Sequence, residues 1–162
     1  MKKYIYSIVV VFFVLMSCSD DDGPSLIDSS ILPGEGLEDV KIGYTGEEVI
    51  DVAGRNYFTI STSVGSDLYF HRMDYDNEGL AFNMGSAEED ADIKGLTVQS
   101  VTITAPFKGT TAEGIGIGNT KQEVLDNYPD PEIFEFWQTY EYEGISFIFD
   151  ESDVVVRIFV NE

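Results

Sequence analysis

Two blocks of this chain are written twice in the same order, and a chain that repeats itself folds so that like units bury apolar surface against each other. Val40 to Asp51 (VKIGYTGEEVID) returns as Ile115 to Asp126 (IGIGNTKQEVLD), and Tyr75 to Phe82 (YDNEGLAF) returns as Tyr140 to Phe147 (YEYEGISF). The folded part therefore divides into a first repeat over 37–107 and a second over 108–162. Each first block carries Thr-x-x-Glu, Thr45 with Glu48 and Thr120 with Glu123. That pattern is a capping box, which satisfies free amides at a helix start. Val49, Val52 and Ala53, and then Val124, Leu125 and Tyr128, give each helix an apolar stripe. Gly54 ends the first helix, and Pro129 and Pro131 end the second.

Helices this short do not stand alone in water and must dock on a sheet. Phe134, Phe136, Tyr140 and Tyr142 alternate with Glu135, Trp137, Thr139 and Glu141, the period of a half-buried strand with the first set inward. Ile145, Phe147 and Phe149 form a second strand, and Val154, Val156, Ile158 and Val160 a third. Glu143-Gly144 and Asp150 to Asp153 are the turns between them. The first repeat holds extra residues before its second block, read as an added strand over Tyr57 to Val64. Ser86 to Asp92 reads as an exposed acidic loop. The expected class is α+β, with two tandem repeats, each a short capped helix followed by a three- to four-stranded antiparallel meander.

Ahead of the repeats stand Lys2 and Lys3, an apolar run from Ile5 to Met16, and Ser17-Cys18, followed at once by Ser19-Asp20-Asp21-Asp22. A basic start and a short apolar core make an export signal, and the run falls short of the ~20 residues that span a bilayer. Residues 1–17 are read as the leader. Cys18, the only cysteine, stands where the leader ends, so the segment resembles the lipobox of bacterial lipoproteins. The resemblance implies acylation of Cys18 and anchorage in the outer membrane. The acidic run after it resembles the surface-export tag of Bacteroidota lipoproteins, which implies the cell surface; a periplasmic placement and a plain solvated linker remain open. Residues 18–36, rich in Asp, Ser, Gly and Pro, are expected to be the acylated cysteine and a flexible tether.

The net charge of −21, from 30 acidic and 9 basic residues, repels phosphates and anionic headgroups. It disfavours a nucleic-acid partner and leaves the lipid as the membrane contact. With 43% apolar residues the chain is not a disordered acidic tail.

The pattern [Ile/Val]-x-[Ile/Val]-Gly-x-Thr-x-x-Glu-Val followed by a meander resembles the module of the beta-lactamase inhibitory protein. A single copy resembles the small SmpA/OmlA-type lipoprotein of the outer-membrane barrel-assembly machine. The chain departs from that pattern with Tyr44 and Asn119 where a Met is usual, and it lacks a disulfide. The resemblance implies a non-catalytic module that binds an envelope protein through an exposed sheet face. On that face, repeat alignment puts Arg72 level with Trp137, with Phe70, Ile148 and Phe159 as outward neighbours. Trp and Arg are enriched among binding hot spots, which makes Trp137 the first candidate. The alternative is a core tryptophan covered by its own chain. A surface glycan-binding accessory, with Trp137 stacking on sugar rings, is the rival from another class, and a small hydrolase is a weaker one.

Catalytic chemistry finds little foothold. The chain has one histidine and no thiol once Cys18 is acylated, so a nucleophile with its base is missing. His71 aligns with Phe136 on the inner face, which fits a hydrogen-bonded core histidine. Asp74 to Gly79 imitates the start of a calcium loop, yet the twelfth position is Gly85 where a bidentate Glu is needed. An ordinary hairpin is the better account. No enzyme activity, metal or cofactor is expected.

Overall fold

The computed structural model describes residues 25–65 and 68–162. The leader and Cys18 lie outside the described residues. Among the described residues ten strands and two α-helices follow one another: β1 (Ile31–Leu32), β2 (Gly36–Leu37), α1 (Gly46–Ala53), β3 (Phe58–Ser63), β4 (Tyr69–Tyr75), β5 (Leu80–Ser86), β6 (Val98–Thr104), α2 (Lys121–Asn127), β7 (Glu132–Phe134), β8 (Thr139–Tyr142), β9 (Ile145–Phe149) and β10 (Val155–Asn161). Eight of the strands form one antiparallel sheet in the order β3-β4-β5-β6-β10-β9-β8-β7, and β1 pairs with β2 in a separate ladder. Two meanders thus run inward from opposite edges and meet where β6 pairs with β10.

The molecule is mostly β, which corrects the α+β expectation. Both capping boxes form as read, with Thr45 on Glu48 and Thr120 on Glu123. They start helices of only 8 and 7 residues, however. Gly54, at φ +82°, closes the first. The rest of the apolar alternation has period two and joins one continuous sheet, so strand pairing dominates the fold.

One face of that sheet is the core. Register places His71, Met73 and Tyr75 beside Met84, Phe82 and Leu80, then Val101 and Ile103, then Val160 and Ile158, then Ile145 and Phe147. Val49, Ile50 and Ala53 of α1 and Val124 of α2 pack on this face. Among the described residues no helix is long and apolar enough to cross a membrane.

Three local expectations are corrected. Residues 25–36 are not tether: Leu26 and Ile31 are buried in the core, Ile31 N–H donates to the Thr110 carbonyl at 2.9 Å, and Gly34 N–H to the Gly144 carbonyl at 2.9 Å. Composition hid this, because the apolar residues are spaced among Ser, Pro and Gly. Second, Phe134 to Tyr142 is not one strand. A 3-10 turn at Glu135–Trp137 and a left-handed Gln138 at φ +49° break it, leaving Phe134 and Phe136 exposed rather than inward. Third, a bulge at Val155/Arg157 resets the alternation of β10, so Val155 is buried and Val156 is exposed. An extra residue in one strand of a pair does this.

Candidate functional site: the uncovered sheet face

Among the described residues, no helix packs on the second face of the sheet. Its rows follow from the register: Arg72, Asn83, Ser100 and Asn161 in one; Asp74, Ala81, Thr102, Phe159 and Ser146 in the next; Thr104, Arg157, Ile148 and Thr139 in the third. Small residues therefore occupy the middle strands, while β4 on one side and β10 with β9 on the other carry long side chains. The result is an open trough of about 590 Å³, floored by Ala81 and Thr102 and walled by Arg72 with Asp74 and by Arg157 with Phe159 and Ile148. It spans the β6·β10 junction, where the two meanders meet.

The electrostatics of the trough are specific. Arg72 donates from Nε to Asp74 Oδ2 at 2.8 Å, and Asp74 is buried, so this guanidinium is held in place. Arg157 is solvent-exposed, and among the described residues it forms no ion pair. Asn83 donates its side-chain amide to Thr102 Oγ1 at 3.0 Å. Among the described residues the Thr102 hydroxyl makes no donated bond, so its hydrogen is available to a ligand. At the trough's end, Gly79 sits in the β4–β5 turn at φ +71°, and a Cβ there would collide with the Thr104 carbonyl. Only glycine keeps that end of the trough tight.

Of the sequence-chosen residues, the structure gathers Arg72, Phe159 and Ile148 in the trough. Phe70 is 45% exposed and lies with Phe58 and Ile60 toward the β3 edge of the same face. Trp137 stands elsewhere, 68% exposed in the 3-10 turn at the β7–β8 edge. It packs edge-to-face on Phe136 at 4.8 Å and 89°. It is therefore neither a core residue nor the counterpart of Arg72, which sits mid-strand. Arg157 escaped sequence reasoning. The available signal was that the chain has only three arginines, Arg55, Arg72 and Arg157, and two of them face outward on strands of one sheet.

His71 lies on the inner face and is 2% exposed. Its Nε2 approaches the Glu88 carbonyl at 3.0 Å and its Nδ1 the Ser61 hydroxyl at 2.9 Å. A carbonyl only accepts, so Nε2 carries the proton. The ring clamps the acidic loop against the sheet. Asp76 to Gly79 is the β4–β5 hairpin turn, and among the described residues no three His, Cys, Asp or Glu side chains gather as a metal site.

Comparison with family models finds no match, and comparisons with curated proteins and with solved structures find no significant one.

Proposed function

We propose that this chain is a lipid-anchored envelope lipoprotein, attached through Cys18 at the outer membrane, whose uncovered sheet face binds a protein partner without catalysis. The anchor rests on the leader and the position of the only cysteine. The binding role rests on one observation: an eight-stranded sheet with one face packed on the helices and the other, among the described residues, without a helix, the second face carrying Phe58, Ile60 and Phe70 at 45, 39 and 45% exposure. Contiguous apolar side chains left on a surface mark interaction sites. The likeness to inhibitory-protein and SmpA/OmlA-type modules supports the same reading, with the β6·β10 junction as the seam between the two repeats.

Crosslinking in native membranes followed by mass spectrometry tests it. Partner crosslinks on β3, β4 and β10 are expected, and crosslinks confined to the α1 and α2 side would overturn the reading. Cys18→Ala is expected to move the protein out of the detergent-soluble membrane fraction; retention there would refute the anchor.

A second reading has its own support in Phe136 and Trp137, exposed at 85% and 68%. Paired aromatic faces stack on sugar rings, and a glycan array probed with the wild type and Trp137→Ala separates this from protein binding. Signal on the array that vanishes in the variant would favour the glycan.

A further inference from the structure

The trough has chemistry of its own beyond exposure. Arg72 is already engaged by Asp74, whereas Arg157 projects from β10 unpaired among the described residues of a chain that carries 30 acidic side chains. Across the β6·β10 ladder it faces Thr104, and on its other side Ile148. Next to it along the same face is Phe159. The Thr104 hydroxyl is engaged with the Gly79 carbonyl at 3.4 Å, whereas Thr102, opposite Phe159, only accepts, from Asn83. A planar guanidinium beside an aromatic ring, an aliphatic side chain and the Thr102 hydroxyl is a donor set for a carboxylate carried on a short hydrocarbon stem. The trough stays open to solvent, with Arg157 exposed and Phe159 and Ile148 half-buried. A small ligand would be left mostly in water, whereas small-molecule sites enclose most of their ligand. A side chain projecting from a partner's surface needs only such an open slot.

We propose that the trough receives an acidic side chain of a protein partner, with Arg157 as its ion-pairing group, Thr102 as a second donor, and Phe159 and Ile148 against its methylenes. This rests on the protein-binding reading above and names what the partner must present. The long-range field works the other way. At a net charge of −21 the molecule repels anions at long range in low salt, and at physiological salt that repulsion is screened beyond a Debye length of about 8 Å. Complementarity is therefore local to Arg157, since Asp74 is engaged by Arg72 and Asp76 lines the Gly79 end of the trough, and raising the salt concentration removes the distant repulsion faster than it weakens the contact itself. Binding of a small acidic probe should hold or strengthen between low and physiological salt, opposite to the behaviour of a site on a basic protein.

The three arginines allow a direct test, because their Nε–H signals in a nitrogen–proton correlation spectrum are few enough to assign by mutation. The probe is an acetylated tripeptide amide with glutamate between two leucines, and the control carries glutamine in its place. A saturable shift of the Arg157 signal by the glutamate probe, with Arg55 unmoved and the glutamine control at least tenfold weaker, is the expected result. Arg157→Gln should abolish saturation while the far-UV circular dichroism and melting temperature stay those of the wild type. Linear shifts shared by all three arginines, or equal response to both peptides, would overturn the proposal without any variant. Acetate saturating Arg157 as tightly as the tripeptide would overturn the side-chain assignment in favour of a simple anion. Membrane crosslinks on the sheet face with no probe binding would remove this inference alone, whereas crosslinks only on the helical side would remove the protein-binding reading as well.

Discussion

Arg72 and Asp74 stand two residues apart on the same face of β4, joined by an Nε–H to Oδ2 bond of 2.8 Å. The pair is lopsided, with the arginine side chain 42% exposed and the aspartate side chain 6%. Removing the arginine leaves a buried carboxylate without its partner, while removing the carboxylate charge leaves a guanidinium that reaches water. Arg72→Ala is expected to cost about 2 kcal/mol in urea unfolding, and Asp74→Asn clearly less. Equal losses would mean that the pair is an ordinary surface contact.

Tyr142 offers the opposite sign. Its hydroxyl is buried with no hydrogen-bond partner among the described residues, and burial pushes the phenol up to about 12. The ring packs against Tyr128 and Phe147 with centroids 5.3 and 6.0 Å away. Tyr142→Phe keeps those contacts and deletes the orphan oxygen, so stability should be unchanged or higher by up to about 1 kcal/mol. Thermal unfolding of the two proteins side by side checks this, and a lower melting temperature for the variant would show that the hydroxyl has a partner.

Trp137 is exposed enough for its loss to leave the fold intact. Trp137→Ala should shift stability by no more than about 0.5 kcal/mol while reducing capture of whichever ligand uses the β7–β8 edge. A loss of several degrees in melting temperature would make it a packing residue.

Acid should loosen the helix starts. The Thr45 backbone N–H donates to Glu48 Oε2 at 2.7 Å and the Thr120 N–H to Glu123 Oε2 at 2.7 Å. Those bonds hold both carboxyls below their ordinary value of 4.5. A depressed folded value stabilises above the unfolded one and loses that contribution as pH falls through the folded value. Glu78 runs the other way, because burial raises it above 4.5 despite the Leu26 N–H it accepts. Its contribution favours the fold at low pH and fades as pH rises through the folded value. Pairing Glu48→Gln with Glu123→Gln should flatten the acid side of a stability-against-pH curve, and Glu78→Gln should steepen it. Identical curves for all three proteins would remove both assignments.

His71→Ala should cost about 2–3 kcal/mol, since it opens a buried site and strands the Glu88 carbonyl. Limited proteolysis should then cut the Glu88–Asp90 loop faster than in the wild type. Unchanged cleavage would show that the loop is held by other contacts.

What local chemistry fixes could be read before any coordinates. Thr45 with Glu48 and Thr120 with Glu123 set the helix starts, because a capping box involves only residues three apart. The Gly79 and Gly144 turns, both at positive φ, were legible for the same reason. The inward set of β9, and Ile158 and Val160 of β10, followed from period two. The sequence by itself did not decide how much of the molecule would be helix, since propensity says where a helix begins and pairing partners decide what the remaining residues join. The break at Gln138, the bulge before Arg157 and the docking of Leu26 and Ile31 were equally hidden. Each depends on a contact with a residue far along the chain, as Leu26 meets Glu78 and Gly34 meets Gly144. The trough belongs to the same class. Arg72 and Arg157 lie 85 residues apart in sequence, and only the pairing of β6 with β10 brings their strands into one face. Short-range hydrogen bonding is written in neighbouring letters, whereas a shared surface exists only after the chain has closed on itself.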